Sequence, residues 1–149
     1  MKVIVISGSY SNIGKTTLAR NISAAFASDK VEIIKFGHNM FNPDKQEKLF
    51  HDIQEGLNHI ETLQNIDYLI IESNSIYKFI KPDLGIFLKN NEKPQKDSAL
   101  LAEKQADIVI DERFDYIKAK DIINREIGND FIISALFQQY IYIYLGVKY

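Results

Sequence analysis

Residues 7–17 read Ser-Gly-Ser-Tyr-Ser-Asn-Ile-Gly-Lys-Thr-Thr and follow directly on the apolar run Val3–Ile6. A strand that runs into a glycine loop ending in Gly14-Lys15-Thr16, with an amphipathic helix beyond, has the order of parts of a phosphate-binding loop. A nucleoside triphosphate presents clustered negative charge. Backbone N–H groups and the positive end of a helix can meet that charge. Gly14 has no Cβ, so the backbone is expected to approach the phosphates closely. Lys15 is placed to reach the β- and γ-phosphate oxygens, and Thr16 offers a hydroxyl to Mg²⁺. Gly8, Ser11, Asn12, Ile13, Gly14, Lys15, Thr16 and Thr17 are therefore the expected nucleotide-binding residues. Leu18, Ile22, Ala25 and Phe26 recur at helical spacing and predict one buried face. Ser9 stands where the usual pattern has its first glycine, and Gly8 comes one position earlier. The loop is either one residue longer than usual or starts with serine.

Outward from this loop, strands and helices alternate. Val31–Phe36 reads as a second strand. Residues Pro43 to Leu63 place Leu49, Ile53, Leu57 and Ile60 on one helical face. Tyr68–Ile71 and Leu84–Leu88 are apolar strands. Asp97 or Ser98 can cap a helix through Ala106, and Ile108–Ile110 is a fifth, short strand. A helix over Asp121–Ile127 stops at Gly128. Asn129 or Asp130 then caps a last helix through about Leu145. Short apolar strands alternating with helices predict a three-layer α/β domain with a mostly parallel sheet flanked by helices. Ligands of such sheets bind outside the carboxyl ends of the strands, so residues there take priority.

The second strand leads into Lys35, Gly37, His38 and Asn39. Lys35 is either an anion contact beside the loop or a surface lysine, and His38 a base, a substrate contact or neither. The third strand closes on Glu72. A carboxylate there can hold the water shell of a metal ion or orient an attacking water; the alternative is a structural salt bridge. Lys15 and Glu72 are the expected catalytic pair, Thr16 and Glu72 the expected metal ligands, and Lys35 a further nucleotide contact. Asp67 is expected at the opposite end of that strand. Lys81 reads as solvated. Asn90 and Asn91 could contact a base, but no Asn-Lys-x-Asp guanine signature occurs. Arg20 is expected to face solvent. Residues 129–149 form an apolar C-terminal extension that is either core or a subunit interface, with an interface favoured.

The chain has 149 residues, a size expected for one domain over 1–149. Its net charge of −2 gives no support to a nucleic-acid-binding surface. It contains no cysteine, which excludes disulfides and thiolate metal sites. No signal peptide is visible ahead of the first strand. The apolar stretch Phe131–Leu145 is interrupted by Ser134, Gln138 and Gln139 and is short for a membrane span. A cytoplasmic protein with no membrane partner is the expectation.

The run Val5-Ile6-Ser7-Gly8, then Gly14-Lys15-Thr16-Thr17, resembles the loop of dethiobiotin synthetases, which carry the same extra residue. Ile34-Lys35-Phe36-Gly37-His38-Asn39, Ile70-Ile71-Glu72-Ser73 and Lys81-Pro82-Asp83 are similar in layout to the molybdopterin-guanine dinucleotide biosynthesis protein B family. The resemblance covers about residues 1–111. Against that family, Glu-Gly has become Glu72-Ser73, the histidine cluster is thinned to His38, and Asn39 stands near an expected acid. The lysine that the class often carries early in the loop is replaced by Ser9 and Tyr10. Both families belong to the SIMIBI class of P-loop NTPases. The resemblance implies the P-loop NTPase fold, binding of GTP or ATP with Mg²⁺, weak hydrolysis and a homodimer. It also implies a cofactor-biosynthesis enzyme as partner. A small-molecule synthetase acting with ATP is the second expectation, with Asp44 the nearest candidate for a second metal ligand. A small kinase is the third and weakest, since Arg20, Arg113 and Arg125 do not cluster.

Overall fold

The computed structural model describes residues 1–26, 29–37 and 46–145. The described elements run in the order β1 (Lys2–Gly8), α1 (Lys15–Ala25), β2 (Val31–Phe36), β3 (Lys48–Phe50), α2 (Ile53–Thr62), β4 (Tyr68–Glu72), β5 (Leu84–Leu88), α3 (Asp97–Gln105), β6 (Ile108–Ile110), α4 (Tyr116–Glu126) and α5 (Ile133–Tyr140). A 3₁₀ turn, Ser75–Lys78, follows β4, and another, Asp130–Ile132, precedes α5. A π-helical turn, Ile141–Leu145, continues α5.

The six strands form one sheet in the order β3-β2-β4-β1-β5-β6, with every pair parallel. Consecutive parallel strands need crossovers; α1 supplies the one from β1 to β2, α2 the one from β3 to β4 and α3 the one from β5 to β6. Ile4, Ile6, Ile33, Ile70, Ile86, Leu88 and Ile110 point to one face, where α1, α4 and α5 pack through Leu18, Ile22, Ile123 and Leu136. Val5, Ile34, Leu69 and Ile71 point to the other, beneath Ile53, Leu57 and Ile60 of α2. Phe87 meets Ala99 and Ala102 of α3 on that same side. The continuous apolar runs of the sequence are thus strands buried from both sides, and the architecture is three-layer α/β.

Several boundaries differ from expectation. The expected helix over Pro43 to Leu63 is a short strand followed by a shorter helix; residues 43–45 lie outside the described segments. Lys48–Phe50 pairs with Ile34–Phe36 at the sheet edge. Asp52 then starts α2 by accepting from the N–H groups of Gln54 (2.7 Å) and Glu55 (3.3 Å). Leu49 fits the helical spacing of Ile53 and Leu57 although it belongs to the strand. The helix expected over Asp121–Ile127 begins earlier, at Tyr116, because Asp115 caps it through the Lys118 N–H at 3.0 Å. Gly128, at φ 76, ends it as expected. The last helix is broken in three: Asn129 caps the 3₁₀ turn through the Phe131 N–H, α5 follows, and the chain then widens into the π turn. The inner face of this extension is core, with Ile132, Leu136 and Gln139 buried. No described helix is long and apolar enough to cross a membrane.

Candidate functional site

β1 lies in the middle of the sheet, between β4 and β5. The chain leaves it in one direction through α1 to β2 and crosses to the other side between β4 and β5. Such a switch point leaves a crevice at the carboxyl ends of the strands. The β1–α1 loop sits there. Register brings its neighbours together: Ile6 pairs with Glu72, and Glu72 with Lys35.

The loop is held from both flanks. The Asn74 carboxamide accepts from the Gly8 N–H (3.0 Å) and donates to the Gly8 carbonyl (3.1 Å). Ser9 is fully buried; its hydroxyl donates to Gln95 Oε1 at 2.9 Å and accepts from the Asn90 N–H at 3.1 Å. Serine in place of the expected glycine therefore stitches the loop to the segment after β5. A Cβ on Gly8 would meet Ile13 Cγ2 at 2.7 Å, the Leu88 carbonyl at 3.3 Å and Lys15 Cδ at 3.5 Å. The missing side chain is what lets Ile13 pack against the end of β1, while the Lys15 stem lies beside Gly8 at ordinary van der Waals distance. Asn12 (φ 64) and Gly14 (φ 110) both lie in the left-handed region. Gly14 is the N-cap of α1, and no side chain caps that helix. The space where a Gly14 side chain would lie is filled by the Gln139 carboxamide. The glycine thus makes room for the protein's own tail.

Thr16 donates its hydroxyl to Glu72 Oε1 at 2.7 Å, and Lys35 Nζ lies 3.4 Å from the same hydroxyl. Glu72 is 1% exposed, and its second oxygen, Oε2, has no hydrogen-bond partner. Burial raises the Glu72 pKa above the ordinary glutamate value; the Thr16 hydrogen bond and Lys35 oppose this in part. Burial lowers the Lys15 pKa. Glu72 opposes the shift, while Lys35 and Lys96 add to it. A buried carboxylate with an idle oxygen beside a hydroxyl is an all-oxygen donor pair of the kind Mg²⁺ takes alongside phosphate oxygens and water. The described residues contain no cluster of three or more His, Cys, Asp and Glu side chains, so a closed all-protein metal cage is absent among them.

A cleft of about 460 Å³ opens over these groups. Its walls include Tyr10, Ser11 and Asn12 from the loop, Lys15 at the start of α1, Lys35 from β2, Glu72 at the end of β4 and Ser73 to Ser75 after it, and Lys96 and Ser98 at the start of α3. Of the expected residues, Ser11, Asn12, Lys15, Lys35 and Glu72 thus share one cavity. Thr16 reaches it through Glu72. Ile13 is buried in the core and Thr17 is exposed on α1. Asp67 lies at the amino end of the sheet as expected, accepting from the Lys2 and Lys30 N–H groups. Arg20 does not simply face solvent: it forks onto the buried carboxylate of Glu47 at 3.0–3.3 Å. The Asn90 side chain accepts from the Glu92 N–H in a local turn. His38, Asn39 and Asp44 lie outside the described residues. Sequence reading missed the loop-holding role of Asn74 and the positions of Lys96 and Gln139. Asn74 had a signal, since it stands just past a strand end in the crevice; Gln139 had none.

No protein-family model matches the chain, and neither a curated protein nor a solved structure matches it.

Proposed function

We propose that the protein binds a purine nucleoside triphosphate, GTP or ATP, together with Mg²⁺ at the β1–α1 loop, and hydrolyses it slowly. The observation that carries this is the Thr16–Glu72 hydrogen bond of 2.7 Å with Glu72 Oε2 left idle and the Lys15 stem lying beside Gly8. Anion-binding elements converge there: a loop opening an uncapped helix N-terminus, a desolvated lysine and a second lysine. Thr16 and Glu72 are the residues that would hold the ion, which when bound bridges and neutralises phosphate oxygens. Lys15 binds and orients the terminal phosphates. Glu72 supplies an oxygen that can orient water toward them. None of the three arginines lines the cleft, so the site lacks the cationic finger that speeds phosphoryl transfer by about 10³–10⁵, and turnover is slow.

With the resemblance above, this supports an accessory role in molybdopterin-guanine dinucleotide cofactor biosynthesis. The test is reconstitution: the protein with Mg²⁺ and nucleotide should raise the yield of guanylylated cofactor. Tight ATP preference with no effect on guanylylation would count against it. A second reading, an ATP-dependent synthetase similar to dethiobiotin synthetase, is favoured by one observation. The cleft extends past the loop to Lys96 and Ser98 and gathers three lysines, which suits an additional anionic substrate. ADP release that depends on a carboxylate or diamine would support that reading; no such dependence across a panel of both would remove it.

A further inference from the structure

The tail helix α5 brings to the glycine loop a side chain that the nucleotide proposal does not use. Gln139 is 1% exposed, and its Nε2 has no hydrogen-bond partner. It is aimed at Gly14, because a Cβ built there would run into that same Nε2. Gly14 is the N-cap of α1, where the first N–H groups of the helix lack a side-chain cap. An uncapped helix N-terminus and a buried, unused amide donor therefore meet at one residue.

A buried donor without an acceptor costs stability, yet this one is held firmly in place. Ala135 and Leu136 pack α5 into the core against α1. The Tyr144 hydroxyl donates to the Ile110 carbonyl at 2.8 Å, and that of Tyr140 to the Glu112 carbonyl at 3.4 Å. Both bonds tie the segment to the carboxyl end of β6, the side of the sheet where ligands bind. The π turn Ile141–Leu145 begins two residues after Gln139, and such turns are frequent at functional sites. Gln139 is not a wall of the cleft; it meets Gly14 from another flank.

We infer that Gln139 is a nucleotide-binding residue: its carboxamide donates to a phosphate oxygen held at the N-terminus of α1, which makes the tail part of the site. This rests on the nucleotide proposal above. Rotation about the end of the side chain turns the N–H₂ from Gly14 toward the new acceptor. The idle donor of the ligand-free protein then gains its partner only when nucleotide is bound.

The experiment compares wild type with Gln139→Met, which keeps length and volume and removes the donor. Binding of Mg-ATP and Mg-GTP is measured by calorimetry, and melting temperature without ligand. The expected result is affinity weakened roughly ten- to hundredfold, the loss of one hydrogen bond to a charged group, with the melting temperature unchanged or raised. Equal affinity overturns the inference. A second measurement needs no variant. In wild-type NMR spectra the Gln139 side-chain N–H₂ resonances should shift on adding Mg-nucleotide, together with the Gly14 amide. If the Gly14 amide moves and the Gln139 signals do not, Gln139 is structural and the inference fails alone. If wild type binds neither nucleotide, the nucleotide proposal fails and takes this inference with it.

Discussion

At the residue scale, Gly14 and Glu72 carry the sharpest expectations. Gly14 combines a left-handed backbone (φ 110) with the Gln139 carboxamide where its side chain would lie. Gly14→Ala should therefore cost about 1–2 kcal/mol for the left-handed conformation and more for displacing Gln139, seen as a lowered denaturant midpoint. An unchanged midpoint would mean the loop is not held in this geometry. The Glu72 pKa is raised, chiefly by burial. The sign follows: its contribution to stability is fully present below the unfolded glutamate value of about 4.3 and is lost as pH rises through the higher folded value. Glu72→Gln mimics the neutral form, so the melting-temperature difference between variant and wild type should grow in the variant's favour over that window and then level off. A flat difference from pH 4 to 8 would contradict a buried, desolvated carboxylate. The same variant should lose the Mg²⁺-dependent part of nucleotide binding. These two residues were legible to different degrees. The run Gly14-Lys15-Thr16 and the strand-terminal Glu72 announced themselves by type and position. What fills the space beside Gly14 could not be read, because Gln139 lies 125 positions further along the chain and only packing brings it there.

Among the elements, the sheet was the easiest to read. Strands buried on both faces have no polar alternation to mistake for something else, so β5 and β6 match their expected bounds, and β2 does so through its buried Ile33-Ile34 centre. The failures fall where one periodicity imitates another or a cap decides the boundary. Leu49 continues the spacing of α2 yet sits in edge strand β3, and Asp115 starts α4 earlier than the apolar pattern suggested. The loop between β1 and α1 depends on a neighbouring element as well as its own sequence, since Asn74 holds Gly8 with two hydrogen bonds. Asn74→Ala should lower stability by about 1–2 kcal/mol and weaken nucleotide binding further than that loss of stability accounts for, as measured by unfolding and titration together. Affinity equal to wild type would show that the clamp does not shape the site. Leu136, fully buried where α5 meets the core, tests the tail as core: Leu136→Ala should cost about 2–5 kcal/mol by denaturant unfolding. A cost below about 0.5 kcal/mol, typical of surface positions, would mean the extension is only loosely attached.

Across the whole molecule, the parallel sheet places the loop, Lys35 and Glu72 at one end of the central strands, with helices closing both faces. That arrangement gives the cleft its charge pattern: Lys15, Lys35 and Lys96 around one buried carboxylate. The like charges of Lys35 and Lys96 add to burial in lowering the Lys15 pKa, so a bound polyanion relieves repulsion that the ligand-free protein carries. Lys15→Ala should accordingly fold at least as stably as wild type while losing the ligand. The most direct test is calorimetric titration of wild type and Lys15→Ala with GTP and with ATP, each with and without Mg²⁺. The account predicts Mg²⁺-enhanced binding of at least one nucleotide by wild type and loss of that binding in the variant, whose melting temperature is maintained. Failure of wild type to bind either nucleotide, or undiminished binding by Lys15→Ala, would contradict it.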